Sequence, residues 1–438
     1  MRTILSLLLI LTNTMFLSAQ KQLSLNEAIK IAVNRNTTLL KSTNSLKNSE
    51  SNLKTAVGNF LPTIGANAGW NYSKNENDIG SATVTSESRN YSAGVGSSWT
   101  LFDGLSNFAS LSQSKNELNA AKYNIDRLKQ DIVFQTISLY YDVINTSQLL
   151  KFKEDDVKWN QKNLETITER NRLGSVTLAD VYAQQVRAGN AELEVIRTKN
   201  NLETGKSELL SFLGLDVLEA YEFTDSLSVG EIDKVKKDLD LDFRNLGELV
   251  GKALKNRLDY KSAQLNLESA YDGMTIARSG HLPTLTNSIN YGVGSDRIKN
   301  MFDNRTLTVG LSLNIPIFSG FAVENGVQIA EVQVENRKIE LIEKERDIKK
   351  SIQKTYLDLQ AAEKALKVSE KNVMAAQENL KIESEKYSLG AGTLLNVLVA
   401  NSEFTNAQTN YINAQFAYIT LSEQLKYYLG VIEYKNYE

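Results

Sequence analysis

The sequence predicts an exported, mixed α+β membrane protein built as a two-fold repeat, each half joining two amphipathic strands to a long helical hairpin. Three observations predict it. Four segments alternate apolar and polar residues with no charged side chain among them. A tract from Leu105 to Leu173 has helical spacing without one glycine or proline. Short motifs also recur down the chain at a single offset. Side chains on a strand alternate faces, so each alternating segment offers one apolar face and one small, uncharged polar face. Alternation alone fits a soluble sandwich sheet equally well. The other elements decide between them.

At the N-terminus, Arg2 precedes an apolar run from Ile4 to Ile10 that continues to Phe16 and Leu17, followed by Ser18-Ala19-Gln20. These are the three parts of a secretory signal, assigned to residues 1–19 with cleavage near Ala19. A membrane anchor fits less well, because the run is short and interrupted by Thr12, Asn13 and Thr14. No later stretch approaches a spanning helix, so any membrane span must be built from strands. The cleavage point lacks a cysteine, which argues against lipid attachment.

The first structural repeat is assigned to residues 20–214. It opens on a helix and continues with strands at about 61–73 and 89–102. In the first strand Ile64, Ala66, Ala68, Trp70 and Tyr72 share one parity. In the second, Tyr91, Ala93, Val95, Trp99 and Leu101 do so. Segments of about 10 residues with Trp and Tyr near their ends suit a membrane barrel, apolar outside and wet inside. The polar stretch Ser73–Arg89 reads as a loop outside the membrane. A helical hairpin, 105–214, completes the repeat. Its first arm would run about 100 Å at 1.5 Å per residue. In its second arm Ala188, Ala191, Val195, Thr198, Leu202, Gly205, Leu209 and Phe212 step by threes and fours, an antiparallel coiled-coil seam with small residues that allow close approach. Leu173-Gly174-Ser175 breaks the helix, and Thr177 follows as an N-cap.

Residues 215–245 mix charges without long periodicity and read as a connector between the halves. The second repeat, 246–430, again opens on a helix and has strands at about 282–294 and 305–318. Leu285, Ile289, Tyr291 and Val293 share a face in the third segment; Leu307, Val309, Leu311, Leu313, Ile315 and Ile317 do so in the fourth. Gly294–Asn304 reads as the loop between them. The hairpin 320–430 carries the seam Phe404, Ala407, Tyr411, Ala414, Tyr418, Leu421, Leu425 and Tyr428, after a turn at Leu389-Gly390-Ala391-Gly392 and Thr393. Residues 431–438 form a tail.

An offset of 216 carries Leu101-Phe102-Asp103-Gly104 onto Ile317-Phe318-Ser319-Gly320, Tyr140 and Asp142 onto Tyr356 and Asp358, and Leu173-Gly174 onto Leu389-Gly390. It also takes Thr177 to Thr393, Val181 to Val397 and Leu213-Gly214 to Leu429-Gly430. So long a period indicates a duplicated domain rather than a solenoid. The chain's three prolines, Pro62, Pro283 and Pro316, sit at predicted strand ends, where a missing N–H costs least.

Composition narrows the chemistry. With no cysteine and one histidine, His281, the chain lacks the residues for disulfides, Cys/His zinc sites and Cys- or His-based triads. No catalytic, cofactor-binding or metal-binding constellation is expected; Asp and Glu lie at helical spacing as solvated faces. A formal net charge of −3 gives no basic stripe for nucleic acid. An exported coiled-coil structural protein of the cell envelope remains the alternative, since the heptads fit it. A spacer, however, has no need of four uncharged amphipathic strands bounded by aromatics.

The order of these motifs, duplicated, resembles the TolC family of outer-membrane efflux and secretion channels. The likeness covers nearly all of the mature chain. It includes the opening Leu23-Ser24-Leu25-Asn26-Glu27-Ala28-Ile29, Leu-Pro before each strand pair, and Leu-Phe-Asp-Gly and Ile-Phe-Ser-Gly after each. It extends to the turns Arg172–Val181 and Tyr387–Val397. The resemblance implies a homotrimer in the Gram-negative outer membrane, each protomer giving four strands to a 12-stranded barrel and two hairpins to a periplasmic tunnel. It implies a passive duct for a tripartite efflux or type I secretion system, with an inner-membrane transporter and a periplasmic adaptor as partners. Leu173, Gly174, Thr177, Leu389, Gly390 and Thr393 would be the adaptor-docking tips. Trp70, Trp99, Val309, Leu311 and Leu313 would face outer-membrane lipid. At the periplasmic constriction, where relatives often carry two aspartates after the second turn, this chain has Asn396 and Val399, and only the first-half equivalent, Asp180, keeps a charge.

Overall fold

The computed structural model describes residues 21–80, 82–224 and 245–437. The proposed signal peptide and most of the proposed connector lie outside the described residues. Strand β1 (Lys21–Leu23) leads through Ser24 into α1 (Leu25–Arg35). Ser24 and Glu27 form a reciprocal capping box, in which each side chain accepts from the other's backbone N–H. The single opening helix expected in the first half is broken in two. Asn36 accepts from the amides of Thr38 and Leu39 and donates to the Phe212 carbonyl, which diverts the backbone from the helical ladder before α2 (Thr37–Gly58).

Pro62 precedes β2 (Thr63–Ile79), which pairs antiparallel with β3 (Ala82–Phe102) along its whole length. The expected loop at Ser73–Arg89 is therefore corrected: the ladder runs on from Ser73 opposite Ser88 to Ile79 opposite Ala82. Polarity there marks exposure to water, not absence of a strand. Cross-strand pairs hold the extension, with Arg89 over the Tyr72 ring, Lys74 opposite Glu87, and Thr83 donating to Asp78 at 2.6 Å.

After β3 come α3 (Ser106–Arg172), α4 (Leu178–Leu213) and the short β4 (Tyr221–Phe223), which pairs parallel with β1. The second half again opens on two helices, α5 (Leu246–Asn256) and α6 (Leu258–Ser279), split at the extended residue Arg257. Then follow β5 (Thr284–Ser295), a 3-10 turn at Ile298–Asn300, β6 (Arg305–Asn314), α7 (Ala322–Ser388) and α8 (Leu394–Tyr428). The fourth strand stops short of the expected 318. Ile315 and Ile317 lie beyond it, beside Pro316, which has no N–H to give a ladder. No helix among the described residues is long and apolar enough to cross a membrane.

The four long strands form one antiparallel sheet in the order β2-β3-β5-β6, leaving β2 and β6 each with an unpaired edge. Both strand-to-helix junctions use the same device. Gly104 and Leu105, and their repeat partners Gly320 and Phe321, all have positive φ, two left-handed residues in succession where strand gives way to helix. Gly104 is doubly constrained, because a Cβ there would stand 2.7 Å from that of Leu282. Left-handed Leu105 and Phe321 cost about 1–2 kcal/mol each, and their recurrence marks a turn the fold depends on.

Two compact units divide the chain, with boundaries inside α2, α3 and α7. One comprises Lys41–Arg127 and Arg257–Asp347, and so contains the sheet. Within it Asn116 donates to Asp272 at 2.9 Å and Ser269 to Glu117 at 3.1 Å, tying α3 to α6. The other takes the described parts of Met1–Leu40, Leu128–Asn256 and Ile348–Glu438. Its centre holds the fully buried Tyr140, whose hydroxyl donates to the Leu23 carbonyl and whose ring meets Phe223 edge-on. Gln130 donates to the carbonyls of Gly430 and Ile432, fixing the tail.

Along α4 the predicted seam holds: Ala188, Ala191, Leu202 and Leu209 are buried. On α8 only Tyr418 and Leu425 of the predicted set are fully buried, while Ile412, Phe416 and Ile419 join them from other positions. The reason is a second neighbour. Phe404 and Phe416 meet Phe152 and Tyr141 of α3, so α8 is packed on two sides where the heptad anticipates one.

Candidate functional site

Strand register decides what the sheet can do. Ala66, Val95, Tyr291 and Leu307 form one cross-strand row, and Ile64, Ser97, Ile289 and Val309 the next. Apolar parity thus coincides on all four strands. A bulge between Thr100 and Phe102 shifts the end of β3, so that Phe102 rather than Leu101 partners Leu285. The opposite face carries rows such as Gly65, Gly96, Asn290 and Thr308. It is small, polar and uncharged over the shared length of the strands, and closely packed: a Cβ at Gly96 would stand 2.4 Å from Asn290 Oδ1, so the Asn290 side chain would have to move aside.

Trp70, Trp99, Val309, Leu311 and Leu313 all fall on the apolar face, and all five are exposed. Trp70 leans on Tyr91, with ring centroids 6.4 Å apart, and the Trp99 indole donates to the Phe60 carbonyl at 2.9 Å. Burying a side chain such as Val or Leu is worth about 1.5–3 kcal/mol, so a continuous apolar face left in water would be a heavy liability. An exposed patch of this kind marks a partner or a membrane.

The two interhelical turns share one geometry. Gly174 and Gly390 are left-handed, and each closes a Schellman motif. Ser175 N donates to Arg170 O and Gly174 N to Asn171 O; Ala391 N donates to Lys386 O and Gly390 N to Tyr387 O. Neither glycine has an atom within 4 Å of its would-be Cβ, so both face open space, and Leu173 and Leu389 beside them are exposed. Thr177 and Thr393 cap the helices that follow, accepting from the amides of Asp180 and Asn396. Behind the turns, buried Ile167, Leu394 and Leu398 pack with Val176, Val181 and Tyr387, bringing the two hairpins side by side.

Asp180 occupies the third position of α4. Its carboxylate accepts from the Thr177 amide at 2.9 Å and hydroxyl at 2.8 Å. Asn396 instead reaches across its own hairpin, donating to Glu383 at 3.3 Å, while Val399 is exposed. Several polar residues here escaped the sequence reading. The hydrogen bond from Lys386 holds the Glu383 carboxyl below its ordinary range against the opposing effect of desolvation, and Asn396 adds to it. Arg170 sits 4.9 Å over the Tyr387 ring, whose hydroxyl is buried without a partner. Asp156 accepts from Asn401 and Thr405, joining the hairpins through polar contacts. Only Tyr387 carried a signal, as part of the second turn motif. The lone histidine, His281, stands exposed in the turn after α6. Among the described residues no cluster of His, Asp and Glu could hold a metal ion.

Comparison with known proteins fits this geometry. The family described as "Outer membrane efflux protein" matches residues 28–215 and 249–431, one segment in each half. Outer membrane protein TolC of Salmonella enteritidis is 22% identical over 382 residues, covering 85% of this chain and 75% of the relative. Protein CyaE of Bordetella pertussis is 23% identical over 392 residues, 89% of this chain and 80% of its own. The crystal structure of the outer membrane protein VceC from Vibrio cholerae superposes with a TM-score of 0.81 at 21% identity, covering 93% of this chain and 96% of the other.

Proposed function

Because the chain belongs to the outer membrane efflux protein family, we propose that it is the outer-membrane duct of a tripartite efflux or type I secretion system. The sheet carries this reading. One face is apolar and exposed, the other small and polar, and the two outer edges are unpaired. Lipid and a lumen need those two faces. Four strands cannot close a barrel, and open edges do not persist in lipid. Three copies joined edge to edge give twelve strands around a channel.

The internal repeat supports the homotrimer independently. In α8, Leu394, Leu398 and Ile412 are only 6%, 7% and 6% exposed. Their repeat equivalents in α4, Leu178, Tyr182 and Ile196, are 54%, 59% and 64% exposed, with Val186 and Leu193 completing an apolar stripe. The repeat thus presents twice a face that the single chain covers once. A second copy supplies the missing neighbour.

The two turns are the docking tips for a periplasmic adaptor, which links the duct to an inner-membrane transporter that supplies the energy. Open space at Gly174 and Gly390 lets a partner backbone approach. The level of Asp180, Asn396 and Val399 forms the constriction. The tips are tested in cells. The double variant Gly174→Trp, Gly390→Trp is expected to assemble and lose transport, and Ser175→Cys or Ala391→Cys to cross-link to the adaptor. Normal export by the double variant with no cross-link from either cysteine would refute docking at the turns.

A further inference from the structure

On the apolar face of the sheet the side chains do not form an even wall. The methyl groups of Ala66, Ala68 and Ala93 leave a trough of ≈ 720 Å³, flanked by Tyr291 and by Phe302 from the loop before β6. That is within the range of about 300–1,000 Å³ typical of small-molecule sites. Arg305 stands on its rim, in the row Ala68, Ala93, Val293, Arg305. Its position is unusual for a cation. It shares the parity of Leu307, Val309 and Leu311, the residues facing lipid in the proposed duct, yet it opens the strand, where the sheet meets the headgroup layer. Trp70 and Tyr91, one row further on, are the amphipathic aromatics expected at that depth.

Arg305 Nε donates to the Phe302 carbonyl at 3.1 Å, which orients the guanidinium and ties down the loop that walls the trough. Among the described residues no carboxylate pairs with it, whereas Lys74 on β2 pairs with Glu76 and Arg297, in the loop after β5, with Asp296. Four of its five donors are left in the fork geometry that fits phosphate.

We propose that this trough is a specific seat for a phosphate-bearing lipid of the surrounding membrane, an acyl chain lying over Ala66, Ala68 and Ala93 with its phosphate on Arg305. The proposal rests on the sheet facing lipid. Charge and shape each exclude something. An acyl lipid without a phosphate leaves the unpaired arginine unused, and free phosphate leaves the trough empty.

The test uses the full chain extracted from outer membranes in mild detergent, with bound lipid read by native mass spectrometry. Wild type is expected to retain a phosphate-bearing acyl lipid that excess inorganic phosphate does not displace. Arg305→Gln and Ala93→Phe, one removing the charge and one filling the trough, should each cut retention about tenfold, and Ala68→Leu serves if Ala93→Phe assembles poorly. Equal retention by wild type and variants overturns the proposal. So does release by inorganic phosphate, which would mean an anion site only, and so does sensitivity to Arg305→Gln alone, which would mean surface charge without a seat. Wild type that reaches the outer membrane but carries no lipid defeats this inference and spares the duct; wild type absent from that membrane defeats the duct itself.

Discussion

The carboxylate of Asp180 accepts from both the amide and the hydroxyl of Thr177, so at the residue scale its charge first serves to start α4. Two substitutions separate that role from pore electrostatics. Asp180→Asn keeps an oxygen for the Thr177 amide and removes the charge, so the fold should hold. If the side chain also tunes the constriction, single-channel recordings of this variant will show weaker cation preference. Asp180→Ala removes the cap contact and is expected to cost about 0.5–1 kcal/mol, visible as a lower Tm. Unchanged selectivity in Asp180→Asn would leave the residue a cap only. Asp180 was read as a constriction residue, whereas the Thr177 cap was legible because capping is local. Arg170 over Tyr387, or Asn396 reaching Glu383, was not. Those contacts join residues on different helices, and no spacing rule brings them together.

Among the elements, the strands were the most legible, because period-two alternation survives whatever lies on either side. Register then aligned all four apolar parities on one face. The same alternation sets a prediction. Val309→Arg or Leu311→Arg is expected to impair assembly in outer-membrane fractions by about 2–4 kcal/mol of insertion cost near the midplane. Thr308→Arg or Ser312→Arg, on the polar face, should be far better tolerated, and equal tolerance at both parities would remove the barrel. Where the first strand pair was misread, charge was the cause. Ser73–Arg89 looked like a loop because it carries Lys74, Glu76, Asp78, Glu87 and Arg89, yet the cross-strand ladder does not require apolar residues. The seam of α8 was blurred for a different reason. A heptad reports one neighbour, and α8 has two: it reaches α7 through Asn396 to Glu383, and α3 through Phe416 and through Phe404 of the predicted seam itself.

At the scale of the whole molecule, duplication explains why one chain carries two turns, two strand pairs and two strand-to-helix junctions with left-handed Leu105 and Phe321. It also explains the unfinished surfaces: an apolar stripe on α4 whose repeat equivalent is buried, and a sheet with two free edges. The offset of 216 was visible in the sequence; which copy of the repeated face would be left exposed was not, because that depends on the order in which the hairpins pack. These surfaces lead to one central claim, that copies of this chain close into a duct through the outer membrane. Planar-bilayer recording on protein extracted from outer membranes tests it most directly. The account predicts discrete, uniform conductance steps as single assemblies insert, persisting without any added energy source. Protein shown to be inserted in the bilayer that leaves the current at baseline would contradict it.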